Sequence, residues 1–172
     1  HPCWAIAYLG TIYHGAVIVP LDPHGEIDTI TNFLENSEAK AAFLSPDFTD
    51  KFKQIEVKLG RKIPAIVWNL DQSSVDFQKF EDWSNTDFPE SYSKQITTAK
   101  GDDTALMIYT SGTTGEPKGV MLSHGNIISN VIDCSENFAF SEDDIPLSVL
   151  PLSHIFERGA MYLYIFNGMS VY

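Results

Sequence analysis

The amino-acid sequence predicts an α/β fold with a mainly parallel sheet and helices on both of its faces. Short apolar runs rich in β-branched residues recur along the chain, and segments with apolar residues at helical spacing lie between them. Antiparallel neighbours can be joined by tight turns, whereas parallel neighbours need a crossover connection, usually a helix. The alternation of helices and strands therefore favours parallel strands covered by helices.

The first elements follow this alternation. Pro2 suits a first helical turn and Gly15 suits a helix end, so the chain is expected to begin in a helix. Residues 16–20 (AVIVP) form an apolar run that a Pro- and Gly-containing loop ends, as expected of a buried strand. From Glu26 onward, apolar residues recur at intervals of three and four residues, which predicts a helix that ends near Asn36.

The same order continues downstream. Residues 41–44 read as a strand, a helix is expected from Phe48 to Leu59 with Gly60 beyond its end, and residues 63–68 read as the next strand. Residues 69–103 are acidic and weakly periodic, so we expect a surface excursion with one short helix. Residues 105–109 (ALMIY) form another apolar run, and this strand leads directly into a glycine-rich loop.

Composition limits the class of protein. With 172 residues and 44% hydrophobic content, the chain suits one globular domain or part of one. Its net charge of -12, without any basic run, argues against nucleic-acid binding. Two distant cysteines, Cys3 and Cys134, indicate free thiols. No apolar stretch is long enough to span a bilayer, and no signal-peptide pattern opens the chain, so we expect a cytoplasmic protein and leave peripheral membrane association and oligomeric state open.

The loop after that strand reads YTSGTTGEPKGV, from Tyr109 to Val120. Glycines allow backbone N–H groups to converge on an anion, hydroxyls donate hydrogen bonds to phosphate oxygens, and a lysine supplies a positive charge. Gly, Ser, Thr and Pro can also simply form a turn, but this order of residues is too particular for that alone. Lys118 lies between Pro117 and Gly119, which differs from the Walker A pattern and argues against kinases and GTPases.

Residues 109–119 resemble the signature phosphate loop of the AMP-forming adenylate synthetases, which include acyl-CoA ligases, luciferases and peptide-synthetase adenylation domains. The match holds at every fixed position, and Glu116 occupies the variable one. A second segment, Leu147 to Gly159 (LSVLPLSHIFERG), is similar to a motif of the long-chain fatty acyl-CoA ligases in this family. The resemblance implies that residues 1–172 are an internal piece of the N-terminal AMP-binding (adenylation) domain, with both ends cut.

The family reaction has two halves: a carboxylate attacks the α-phosphorus of ATP to give acyl-adenylate and pyrophosphate, and coenzyme A then displaces AMP. The resemblance implies ATP, Mg²⁺ and coenzyme A as cofactor, metal and co-substrate, a fatty acid as small-molecule substrate, and catalytic roles for Thr110 and Lys118. Thr110 is expected on the Mg²⁺ side. The residues expected to hold the phosphates are Thr110, Ser111, Gly112, Thr113, Thr114, Gly115, Lys118 and Gly119.

The five histidines include one pocket candidate, His154, and one for which we favour a structural role, His124. Beside Leu152, Ile155 and Phe156, His154 would ordinarily be read as a core residue, but the resemblance places it beside the acyl substrate. For His124, next to the helix-capping Ser123, we favour a structural role. The others show no metal-ligand spacing, so a zinc site is not expected. For the neighbours Glu157 and Arg158 we favour a solvated pair.

Three alternatives to a long-chain fatty acid CoA ligase stay open. The chain could come from another adenylate-forming enzyme, such as a short-chain acyl-CoA ligase or a peptide-synthetase domain. It could be a non-catalytic nucleotide-binding module, or a phosphotransferase that releases ADP. The segments that resemble the adenine and ribose contacts and the C-terminal catalytic lysine of the family are absent from these 172 residues. We therefore expect this chain alone to be inactive.

Overall fold

The computed structural model describes residues 2–71, 73–84, 99–110 and 118–171. The chain divides into two compact units. The first unit contains residues 1–14 and 21–97, and the second contains residues 15–20 and 98–172.

The first unit is a small parallel sheet with helices. Its helices are α1 (Pro2–Tyr13), α2 (Ile27–Asn36), α3 (Thr49–Leu59) and α4 (Phe80–Ser84), and a 3₁₀ turn, Pro46–Phe48, precedes α3. Its strands are β1 (Ala42–Leu44), β2 (Ala65–Val67) and β3 (Phe77–Lys79), in the order β1-β2-β3 and parallel at both interfaces. The predicted alternation of helices and parallel strands is therefore present.

The core of this unit joins one face of α2 and α3 to the sheet. Ile30 and Leu34 of α2, Phe52 and Ile55 of α3 and Val67 of β2 belong to one buried apolar cluster, and Ile55 and Val67 have no exposed surface. These positions are spaced by three or four residues within each helix, which is the period that brings side chains onto one helix face. Gly60 ends α3 with a φ of 67°, a left-handed conformation that glycine adopts without strain.

The prediction of a surface excursion over residues 69–103 is wrong for residues 77–79. Phe77–Lys79 pairs with β2 as the third parallel strand, and Phe77 is 6% exposed, so this part of the segment belongs to the sheet and its core. The expected short helix is present as α4, directly after β3. Residues 85–98 lie outside the described residues.

A buried carboxylate links α3 to the start of β2. Glu56 is 6% exposed, and its Oε1 accepts a hydrogen bond of 2.8 Å from the backbone N–H of Ile63, which is also buried. Its Oε2 accepts from Lys62 Nζ at 3.0 Å, and Lys62 also reaches Asp76 at 3.2 Å, just before β3. Hydrogen bonding to Lys62 lowers the pKa of Asp76 from its ordinary value. This network fixes the turn that separates α3 from β2.

In its described residues, the second unit consists of an antiparallel ribbon and two helices. The ribbon consists of β4 (Thr104–Thr110) and β5 (Lys118–Ser123), and the helices are α5 (His124–Asn137) and α6 (Ile155–Phe166). Ala105 and Leu106 of β4 have no exposed surface. The strand expected over residues 16–20 is reduced to one parallel bridge, in which Ile18 bonds the backbone of Ala105 and Met107 on the other edge of β4.

The last described residues, 169–171, have no regular structure, although Met169 is buried. Gly168 has a φ of 71°, and its N–H bonds to Ile165 in the turn that follows α6. The N–H of Met169 donates to Tyr164 O at 2.9 Å, so this turn also satisfies the first backbone donor after Gly168.

Candidate active site

The two ends of the predicted phosphate loop lie opposite one another on the ribbon. Thr110, the last residue of β4, and Lys118, the first residue of β5, are partners in the antiparallel register. Residues directly opposite in such a pair project to the same face, with Cβ atoms about 4.5–5.5 Å apart. Both residues are exposed. The ribbon therefore presents one hydroxyl-bearing and one lysine side chain on the same face at the point where the loop leaves it.

The loop itself joins these two residues. Residues 111–117 lie outside the described part of the chain, so the roles predicted for Ser111, Gly112, Thr113, Thr114 and Gly115 remain predictions.

Gly119, the next residue, lies where the ribbon has no room for a side chain. A Cβ atom at this position would lie 3.2 Å from Met107 Sδ and 3.3 Å from a ring carbon of Tyr109. Such contacts are shorter than van der Waals separation, so the neighbours would have to move. Tyr109 is the register partner of Gly119, and the glycine allows its ring to lie across the strand. The structure thus gives Gly119 a packing role, next to the phosphate-binding role that we predict.

Helix α5 begins directly after the ribbon. Ser123 Oγ accepts from the backbone N–H of Asn126 at 3.2 Å, and Asn126 Oδ1 accepts from the Ser123 N–H at 3.1 Å, which is a reciprocal capping box. The N–H of His124 donates to Asp103 O at 3.1 Å and that of Gly125 to Gly101 O at 2.7 Å. These bonds hold the helix start against the turn before β4. The predicted capping role of Ser123 is confirmed, and His124 lies in the first turn of this helix.

His154 is the N-cap residue of α6. Its Nδ1 accepts a hydrogen bond from the backbone N–H of Phe156 at 3.3 Å, and its own N–H donates to Pro151 O at 2.8 Å. The imidazole is exposed. Sequence reasoning selected this histidine as a pocket residue but did not foresee that it also begins the helix. Its role toward a substrate remains a prediction.

An apolar cavity of about 690 Å³ lies between α5 and α6. His154 is not among its lining residues, but the next two residues, Ile155 and Phe156, are. The lining comprises Leu122, Asn126, Ile127, Asn130, Val131, Cys134, Phe138, Phe140, Ile155, Phe156, Gly159, Ala160, Tyr162, Leu163 and Tyr164. Apart from two asparagines, a thiol and two tyrosines, these residues offer no polar side chains, so the cavity suits an apolar guest.

Sequence analysis did not identify this cavity. The available signal was that α5 and α6 carry apolar residues on more than one face, such as Ile128, which is 55% exposed, and Phe156, which is 68% exposed. Helical periodicity predicts that these residues lie on a helix. It does not predict which of them line a cavity.

The solvated pair expected at Glu157 and Arg158 is wrong. Glu157 is 4% exposed and Arg158 has no exposed surface. Glu157 Oε1 accepts a hydrogen bond from Ser148 Oγ. Consecutive helical residues project in different directions, so the two side chains are buried in different surroundings. Burial of this kind depends on the packing of the helix and is not visible in a local charge pattern.

The described residues also bear on the cysteines, on metal-ion sites and on membrane-spanning helices. Cys3 and Cys134 are both partly buried, and neither forms a disulfide bond with another described residue. Across residues 2–71, 73–84, 99–110 and 118–171, no group of three or more His, Cys, Asp or Glu residues is arranged to hold a metal ion. Over the same ranges, no helix has both the length and the apolar character needed to cross a membrane.

Comparison with known proteins identifies the family. The family model described as "AMP-binding enzyme" matches residues 1–172, the whole chain. The chain therefore belongs to the AMP-binding enzyme family, and the predicted α/β fold and family resemblance are confirmed.

Relatives within the family act on different acids. A 72-residue part of the chain is 49% identical to "Long chain acyl-CoA synthetase 6, peroxisomal" from Arabidopsis thaliana, covering 42% of this chain and 10% of that protein. A longer match of 150 residues is 33% identical to "Malonate--CoA ligase" from the same plant, covering 86% of this chain and 23% of that protein. The chain thus spans less than a quarter of the length of either relative.

Solved structures agree on the fold. The chain superposes on a red-emitting luciferase from Phrixothrix hirtus with a TM-score of 0.84 over 98% of this chain and 33% of that one, at 19% identity. At that identity the likeness concerns the fold alone.

Proposed function

We propose that this chain is part of the adenylation domain of an enzyme that activates a long-chain fatty acid with ATP, first to acyl-adenylate and then to acyl-CoA, with release of pyrophosphate and AMP. The observation that carries the proposal is the register of β4 and β5. It places Thr110 and Lys118 directly opposite one another, at the two ends of a glycine- and hydroxyl-rich loop. A polyphosphate with its cation needs these two kinds of group together.

The proposed work of these residues is positioning and charge neutralisation. A carboxylate is already a nucleophile, and the main obstacle to its attack is repulsion by the negative charge of the triphosphate. In our proposal Lys118 neutralises the phosphate oxygens as pyrophosphate leaves, and the loop hydroxyls and N–H groups hold those oxygens in place. The described donors fit Mg²⁺-ATP, because a hydroxyl is a hard ligand and an ammonium pairs with phosphate. Mg²⁺ would supply further charge neutralisation at the phosphates.

The cavity between α5 and α6 supports an apolar acid as the substrate. Phe138, Phe140, Ile155 and Phe156 contribute to its lining, and none of its lining residues carries a charged side chain. A dicarboxylic acid such as malonate needs a cationic or strongly hydrogen-bonding partner for its second carboxylate, because burial of an unpaired charge is costly. An alkyl chain needs no such partner. This favours a fatty acid over malonate, even though the longer match in sequence is to a malonate ligase.

A panel of acids tests the substrate class in the intact enzyme that contains this chain. Palmitate, a short-chain acid, malonate and an aromatic acid are compared by ATP–pyrophosphate exchange and by formation of their CoA thioesters. We expect the highest kcat/KM with palmitate. Preference for malonate or the aromatic acid would assign the protein to another branch of the family.

Two further measurements address the remaining alternatives. Release of ADP instead of AMP would show a phosphotransferase, and calorimetry without detectable Mg-ATP binding would show a module with a vestigial loop. We also propose that the 172-residue chain alone does not complete adenylation. Pyrophosphate exchange by this chain at a rate comparable to that of the intact enzyme would contradict this.

A further inference from the structure

The irregular segment before α6 is not held in place by burial of its apolar residues. Residues 144–149 form no helix or strand. Leu147 is 67% exposed and Val149 is 70% exposed, so neither holds the segment by burial. Between them, Ser148 projects inward and its Oγ donates a hydrogen bond to Oε1 of Glu157. This bond ties the segment to the first turn of the helix.

Glu157 is well placed to anchor such a bond. It is 4% exposed and lies in the first turn of α6, where the unpaired N–H groups of a helix favour a negative charge. A buried carboxylate needs hydrogen-bond donors, because it has lost those of water. Ser148 supplies one of these donors. The bond therefore gives the buried carboxylate a hydrogen-bond donor and holds the segment at the start of α6.

His154 lies between the two ends of this link. Three hydrogen bonds define its position: its N–H donates to Pro151 O, its carbonyl accepts from the Arg158 N–H, and its Nδ1 accepts from the Phe156 N–H. A neutral imidazole has one donor and one acceptor nitrogen. Because Nδ1 accepts, the ring proton resides on Nε2. The imidazole consequently offers its exposed edge as a hydrogen-bond donor.

We propose that Ser148 and Glu157 are positioning residues that hold His154 as the N-cap of α6, so that its Nε2–H donates to the carboxylate of the acid or the carbonyl of the acyl-adenylate. The inference rests on the proposed function for the identity of that acid. Ile155 and Phe156, which follow His154, line the apolar cavity, so the capped helix start lies next to the apolar lining. Breaking the link lets the segment move and frees the ring to change its tautomer.

Four single variants of the intact enzyme, together with the double variant Ser148→Ala/Glu157→Ala, test this role. Glu157→Ala and Ser148→Ala each remove the link, whereas Glu157→Gln keeps an amide oxygen that can accept from Ser148. Glu136→Ala, which removes an exposed carboxylate of α5, is the matched control. The first readout is the ¹⁵N chemical shifts of histidine rings, with His154 assigned by its loss in His154→Asn. The second is kcat and KM for the acid and for ATP.

The expected pattern is specific. In the wild-type protein and in Glu157→Gln, His154 shows the Nε2–H tautomer, and in both alanine variants it becomes a mixture. The alanine variants lose roughly 10- to 100-fold in kcat/KM for the acid, as expected for a displaced positioning group, while KM for ATP stays nearly constant. The double variant is no worse than either single variant, because both remove the same link.

Other patterns would overturn the proposal. An unchanged tautomer in Glu157→Ala would show that the link does not position the ring. Equal losses for acid and ATP with a lowered melting temperature would show that Glu157 only stabilises the fold. The tautomer experiment is independent of substrate identity, so a wild-type enzyme that rejects fatty acids but keeps this tautomer pattern would contradict the proposed function and leave the positioning role supported.

Discussion

Replacement of Lys118 by alanine in the intact enzyme removes the ammonium group opposite Thr110. At about 4 Å from a phosphate oxygen, and with an effective dielectric constant of about 20, a unit positive charge interacts by about 4 kcal/mol. Removal of one preorganised group that stabilises developing charge typically costs about 100- to 1,000-fold in kcat. We therefore expect Lys118→Ala to slow adenylate formation by that factor.

Binding of the fatty acid should change much less. In our proposal the lysine contacts the phosphates and not the acyl chain, so the dissociation constant of the acid should stay within about threefold of the wild-type value. Single-turnover formation of acyl-adenylate measures the chemical step, and calorimetry measures acid binding. Two variants serve as controls. Lys118→Arg retains the charge, and Lys100→Ala removes an exposed lysine before the other end of β4.

The comparison with Lys100→Ala separates local from general electrostatics. Both substitutions make a chain with a net charge of -12 more negative by the same amount, but only one removes a group beside the loop. If both variants lose activity equally, the lysine acts through net charge. If Lys118→Ala weakens adenylation and acid binding by the same factor, our assignment of Lys118 to the phosphates is refuted.

Three further predictions concern stability. Glu56→Ala leaves the buried N–H of Ile63 without its partner and should cost about 2 kcal/mol, a shift of about 1 M in the urea midpoint, whereas Glu56→Gln should cost less than half of that; equal losses would contradict the hydrogen-bond argument. Ser123→Ala removes the capping box and should cost about 1 kcal/mol in chemical denaturation, and an unchanged midpoint would show that the cap is dispensable. Hydrogen bonding to Lys62 lowers the pKa of Asp76 in the folded protein, so the ionised carboxylate stabilises the fold above about pH 4, and this stabilisation is lost as the pH falls through the folded pKa. Lys62→Met removes the hydrogen-bond partner, so thermal melts of this variant should show a shallower loss of stability over the same pH range. An unchanged pH profile would contradict the pairing.

The helices could be predicted from the sequence because their signals are local. Ile30 and Leu34 lie four residues apart, which places them on one helix face, and Gly60 occupies the left-handed position that ends a helix. Such signals depend on residues within one or two turns, and tertiary packing reinforced them in this chain. The loop that we predict to bind phosphate was also recognised from a local signal, because its order of glycines, hydroxyls and lysine is contiguous; its phosphate-binding role stays a prediction.

The features that sequence analysis missed depend on distant partners. Phe77–Lys79 is a strand because β2 lies beside it, and three residues in an acidic segment carry too short a pattern to predict one. The burial of Glu157 depends on the packing of α6, and its hydrogen-bond partner Ser148 lies nine residues earlier in an irregular segment.

The direct passage from β5 into α5 has a consequence for protein engineering. Lys118 and the cavity-lining residues Leu122 and Ile127 lie within ten residues on one continuous ribbon and helix. If the cavity holds the acid and Lys118 the phosphates, as we propose, a substitution in this wall also alters the segment that carries the lysine. Libraries that aim to change acid selectivity should therefore vary α6, at positions such as Phe156, which line the cavity from a separate helix.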